Sequence, residues 1–108
     1  MKAVLYKIGE KAQVVEIDNN YKTYKKYIGG WAIDLRIAND YLVLCDEDGT
    51  PKRRSLNAHV KLPNKAYYPI VGDFLVCKCV DNEIAGLTDE EINKLLESDL
   101  IKQVKGEQ

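Results

Sequence analysis

Hydrophobic and polar residues alternate with a period of two along much of this chain, and helical spacing occurs in only two places. Ala3–Ile8 (AVLYKI) and Gln13–Ile17 (QVVEI) are runs rich in β-branched residues separated by Gly9, Glu10 and Lys11, which predicts an opening hairpin. Asp18, Asn19 and Asn20 are N-cap formers, and after them Tyr21, Tyr24, Tyr27 and Ile28 share one face before Gly29-Gly30 supplies a stop. That pattern predicts one short amphipathic helix. In Trp31–Ile37 (WAIDLRI), Trp31, Ile33, Leu35 and Ile37 face one way and Ala32, Asp34 and Arg36 the other, as in a half-buried strand. Tyr41–Cys45 (YLVLC) has almost no polar face, so this strand is expected to be covered on both sides, with Asp46-Glu47-Asp48-Gly49 closing it in turn chemistry.

The second half is less even. Thr50–Pro69 holds all three prolines and a cluster of cations, and it reads as a long irregular loop of the kind that carries function. Val71–Val80 (VGDFLVCKCV) resumes the sheet as its central strand, with Phe74, Val76 and Lys78 on one side and Leu75, Cys77 and Cys79 on the other. Thr88 and Glu91 then form a capping box, opening a helix through Ile92, Leu95 and Leu96 as far as Ile101. The tail 102–108 is expected to fray. These elements predict a single α+β domain over 1–108: a small, mostly antiparallel sheet of hairpins packed by a short helix in the N-terminal half and by a C-terminal helix.

Composition narrows the class without naming a reaction. The chain has 108 residues, with 16 Lys and Arg against 17 Asp and Glu, a formal charge of -1. That balance argues against a dedicated duplex-DNA binder, whose affinity rests on neutralising phosphates, and against an acidic DNA mimic. No apolar run is long enough to span a membrane, and the opening MKAVLYKIGE lacks the pattern of a secretory leader. A soluble protein of the bacterial host cytoplasm is the expectation. Cys45, Cys77 and Cys79 lie in apolar runs without CxxC spacing, so buried reduced thiols are expected, not a redox or zinc pair.

Charge split along the chain changes this picture. Residues 1–30 carry +3, 31–49 carry -4, 50–80 carry +5 and 81–108 carry -5. The basic segment holds Lys52, Arg53 and Arg54, followed by Asn57, His59, Lys61, Asn64, Lys65, Tyr67 and Tyr68. Paired guanidiniums suit phosphate oxygens, and a tyrosine ring offers a stacking face for a base. The plainer alternative is a solvated turn followed by half-buried strand tyrosines. Trp31 is either core or a second aromatic platform. His59, the single histidine, would serve as an acid or base only if Asp73 or Asp34 approached it. No metal-ligand spacing, nucleophile elbow or phosphate-loop motif accompanies these residues, so neither metal nor cofactor is expected, and binding is favoured over catalysis.

The opening MKAVLYKIGEKAQVVEID, the YIGGW helix end, the YLVLCDEDG hairpin, RRSLN, IVGDFLVC and the closing GLTDEEINKLL together resemble a family of small phage- and mobile-element-borne domains of unknown function. The resemblance spans roughly residues 1–97. In that family the RRSLNA stretch often carries an asparagine followed by an arginine; Asn57 matches and Ala58 replaces the arginine. The resemblance implies an anti-defence accessory that acts by occupying something. The occupant would be a small nucleotide immune signal gripped by Lys52, Arg53, Arg54, Asn57, His59, Tyr67, Tyr68 and Trp31. The alternatives are a host defence protein covered as by an anti-CRISPR inhibitor, or a phosphodiesterase using His59. A homo-oligomer, with two basic segments enclosing one ligand, is expected.

Overall fold

The computed structural model describes residues 1–46 and 55–104. Among these residues nine strands and two α-helices follow one another as β1 (Lys2–Tyr6), β2 (Gln13–Glu16), α1 (Tyr21–Ile28), β3 (Ala32–Arg36), β4 (Tyr41–Asp46), β5 (Leu56–Lys61), β6 (Tyr67–Val71), β7 (Phe74–Val80), β8 (Glu83–Ala85), α2 (Asp89–Glu97) and β9 (Ile101–Gln103). The α+β class and the antiparallel hairpins match the sequence pattern.

The strands divide into two antiparallel sheets. The first runs β2-β1-β7-β4-β3, with β8 added to β7, and the second runs β6-β5-β9. The two-faced burial of the first sheet explains why its central strands lack a polar side. One face presents Val4, Tyr6, Val43, Cys45, Phe74 and Val76 to a core closed by Ala58, Val60 and Ile70 of the second sheet and by Ile92 and Leu95 of α2. The other face presents Ala3, Leu5, Leu42, Leu44, Leu75 and Cys77 to Tyr24 and Ile28 of α1. Successive residues of β7 thus feed alternate cores, as its sequence predicts. Tyr6 and Phe74 stack within the first core, ring centroids 4.9 Å apart.

Both helix starts follow local chemistry. The Asn20 side chain accepts from the Thr23 N–H, and Gly29 closes α1 at φ 85, in the left-handed region where a side chain is strained. Thr88 Oγ1 accepts from Glu91 N–H while Glu91 Oε1 accepts from Thr88 N–H, completing the capping box of α2.

The structure corrects the sequence reading in four places. Within Thr50–Pro69, residues from Leu56 onward form a hairpin: β5 buries Ala58 and Val60 and turns His59 and Lys61 outward. Pro63 falls in its turn, and Pro69 sits on β6, an edge strand where a missing N–H costs no ladder bond. Val71 belongs to β6; Gly72, at φ 77, then turns the chain into β7 of the other sheet. The C-terminal helix stops at Glu97, where Ser98 Oγ donates to the Leu95 carbonyl, well short of Ile101. Lys102 and Gln103 of the expected frayed tail join Ile101 in β9, paired with β5, and Val104 N–H donates to the Asn57 carbonyl.

Candidate functional site

Strand register assembles a mixed basic and aromatic surface on the solvent face of the second sheet. His59 stands opposite Pro69 on one side and Lys102 on the other, and Lys61 stands opposite Tyr67. Period-two alternation turns these side chains away from the core that receives Ala58, Val60 and Ile70. The Lys102 ammonium lies 4.6 Å from the centroid of the Tyr67 ring and that of Lys61 5.9 Å. Asp99 anchors the cluster: Tyr67 donates its hydroxyl to the Asp99 carbonyl at 2.9 Å, and Lys61 pairs with the carboxylate at 3.2 Å. The Lys61 hydrogen bond holds the Asp99 carboxyl below its usual range.

Lys61 and Asp99 also form one wall of a cleft of about 360 Å³, completed by Arg36, Lys65, Pro63, Ser98 and the 3₁₀ turn Ala38–Asp40. Its volume is at the lower end of the range for small-molecule sites. Asn39 and Asp40 hold positive φ values of 62 and 67, and Lys65 one of 73, so tight turns build two sides of the cleft. Three cations, Arg36, Lys61 and Lys65, face two carboxylates, Asp40 and Asp99. Among the described residues Lys65 makes no ion pair. A larger cleft of about 530 Å³ lies beyond Asn39 and Asp40, but its charges are spent internally: Lys78 holds Glu91 at 2.9 and 3.0 Å, and Lys94 lies 3.6 Å from Glu90. The smaller cleft therefore has the stronger claim on an anion.

The residues proposed from sequence separate into three groups. His59 and Tyr67 come together on the outer face of the second sheet, as their spacing allows. Tyr68, Trp31 and Asn57 do not join them. Tyr68 faces the opposite side of β6 and lines a small crevice with Ile33, Leu35 and Cys45. Trp31 is not core: it is 58% exposed and rests on α1, with Lys25 Nζ 4.4 Å from its ring and Tyr21 packed beside it. Asn57 is only 1% exposed and is consumed by structure. Its Nδ2 donates to the carbonyls of Tyr6 and Gly72, and its Oδ1 accepts from Gln103. The third group, Lys52, Arg53 and Arg54, lies outside the described residues. Of the two carboxylates considered for His59, Asp73 accepts from the Ile8 N–H at the β6–β7 turn. Among the described residues, no three His, Cys, Asp or Glu side chains gather as a metal site.

The sequence pattern hides Lys102 and Asp99, because it continues the helix to Ile101 and leaves a polar tail after it. The signal present was the short alternation Ile101-Lys102-Gln103-Val104, which is too brief to distinguish a strand from a fraying end.

The chain belongs to the family described as domain of unknown function (DUF3846), whose model matches residues 1–99. Searches of the curated proteins and of the solved structures found no match. No helix among the described residues is long and apolar enough to cross a membrane.

Proposed function

We propose that this protein is a binding domain that holds a small anionic nucleotide without turning it over, as an anti-defence accessory sequestering an immune signal would. The observation that carries the reading is the register that groups Lys61, Tyr67, Lys102 and His59 on the outer face of the second sheet, with Lys61 also on the wall of the cleft containing Lys65. In this reading Lys61 and Lys65 meet phosphate oxygens within the cleft. Tyr67 takes a base or ribose face in place of the Lys102 ammonium now over its ring, and Lys102 moves to a second phosphate. Lys52, Arg53 and Arg54 enter the chain just before β5 and add to the charge that draws the ligand in.

The test is calorimetry of the purified protein against cyclic di- and trinucleotides and cyclic ADP-ribose isomers, followed by heat denaturation and mass spectrometry of what is released. Saturable binding with the ligand recovered intact is the expected result. Silence across the panel overturns the reading, and recovery of a cleaved nucleotide replaces it with the phosphodiesterase alternative.

A second reading has its own observation. Trp31 and Tyr21 are both large, exposed and adjacent, the composition of an anchor for a protein partner. An inhibitor of a host defence protein would use this patch, and Trp31→Ala would then abolish capture of that protein without affecting nucleotide binding.

A further inference from the structure

We propose that β3 is a self-recognition edge, through which two copies of the chain pair antiparallel about a two-fold axis at Leu35. The inference does not rest on the nucleotide reading, although Arg36 also lines the smaller cleft. Among the described residues β3 ends the larger sheet and pairs only with β4. Ile37 N–H donates to the Tyr41 carbonyl, so with alternation Leu35 and Ile33 also turn their backbone groups toward β4. The N–H and carbonyl groups of Ala32, Asp34 and Arg36 therefore point off the sheet. Ala32 confirms this parity, since its N–H donates to the Tyr21 hydroxyl instead of to a strand.

An open edge of this kind is usually blunted, and here the side chains select a partner instead. Two antiparallel registers set the outward-facing backbone of Asp34 opposite a charged residue. One sets Asp34 opposite Asp34, placing like charges face to face. The other, centred on Leu35, sets each Asp34 opposite the partner's Arg36, so the two pairs are complementary by symmetry. Both side chains are exposed, Asp34 has no ion pair among the described residues, and Arg36 reaches only the sulfur of Cys79 at 3.5 Å. On the opposite face the same register brings Ile33, now 43% exposed, against the partner's copy of this strand. Edge backbone, charge and apolar surface thus call for the same occupant, a second copy of this chain.

The test is sedimentation equilibrium on wild type, Asp34→Arg, Arg36→Asp and the double swap, each checked for fold by circular dichroism. Wild type and the double swap are expected to be dimeric, and each single swap, which sets like charges opposite each other twice, monomeric. Register is read independently by Leu35→Cys in a Cys79→Ser background. Residue 35 sits on the axis as a non-hydrogen-bonded pair, where Cα atoms lie about 4.5 Å apart, so mild oxidation should link two chains. A wild type that stays monomeric at millimolar concentration, single swaps that remain dimeric, or a Leu35→Cys variant that does not cross-link would each overturn the proposal.

Discussion

Gln103 Nε2 donates to Asn57 Oδ1 at 3.2 Å, and this contact between β9 and β5 completes a buried amide whose Nδ2 already donates to Tyr6 in the larger sheet. Asn57 therefore ties the two sheets together. It reaches the interior because β5 carries a bulge: Leu56 pairs with Val71 and Ala58 with Ile70, leaving Asn57 as the extra residue. A bulge redirects a side chain, and without it Asn57 would share the outer face of His59.

Replacing Asn57 with Ala leaves the Tyr6 and Gly72 carbonyls buried without that donor. The expected cost is about 2–6 kcal/mol, from roughly 1–3 kcal/mol for each orphaned group. Urea unfolding reads it directly. Ligand affinity per folded molecule should not change, which separates a structural role from the binding role the sequence suggested.

The capping box of α2 makes stability depend on acid. The Thr88 N–H and then the Lys78 ammonium hold the Glu91 carboxyl below its ordinary 4.5. The folded protein thus binds this proton less tightly than the unfolded chain. Its contribution is complete above about 4.5, the unfolded value, and is lost as pH falls through that range toward the lower folded value. Glu91→Gln is expected to lower stability at neutral pH and to flatten the acid limb of a stability-against-pH curve. Thr88→Ala should cost about 1 kcal/mol.

Thiol labelling should distinguish the three cysteines. Burial pushes Cys77 up to about 12 and Cys45 up to about 11. The thiolate is the reactive form, so both should resist iodoacetamide at neutral pH. Cys79 is only half-buried. Mass spectrometry of the native protein should find one label, on Cys79, and of the denatured protein three.

If the cleft binds phosphate, Lys65→Ala should weaken the nucleotide by about 1.5–3 kcal/mol, the value of a charge-assisted hydrogen bond. Lys65 is exposed and already at positive φ, so alanine replaces it without new packing or backbone strain. Calorimetry should show the loss alongside an unchanged melting temperature. An equal affinity for the variant would remove the cleft from the proposed site.

Trp31→Ala should cost less than about 1 kcal/mol, in contrast to the 3–5 kcal/mol typical of a core tryptophan. Thermal denaturation distinguishes the two.

Local chemistry was the part of this fold that could be read directly. Asn20, Gly29, Thr88 and Glu91 act through neighbours three or four residues away, and the alternation in β7 reports its two cores without reference to anything distant. Reading failed where a residue's fate depended on contacts far along the chain. Trp31 alternates in step with Ile33 and Leu35, yet among the described residues only Tyr21 and Lys25 of α1 pack on its ring and it stays 58% exposed. Leu56–Pro69 reads as irregular because its prolines and cations mask a hairpin whose apolar residues are only every second one.

The candidate site shows the same division. The sequence alone determined that cations and tyrosines would concentrate in one stretch. Tertiary structure decided which of them meet. Pairing of β9 with β5 brought Lys102 to His59, an α2 that ends at Glu97 brought Asp99 to Tyr67 and Lys61, and one inserted residue turned Asn57 from surface to core. Each depends on strand register, which is set by the packing of distant segments and by where a single bulge falls.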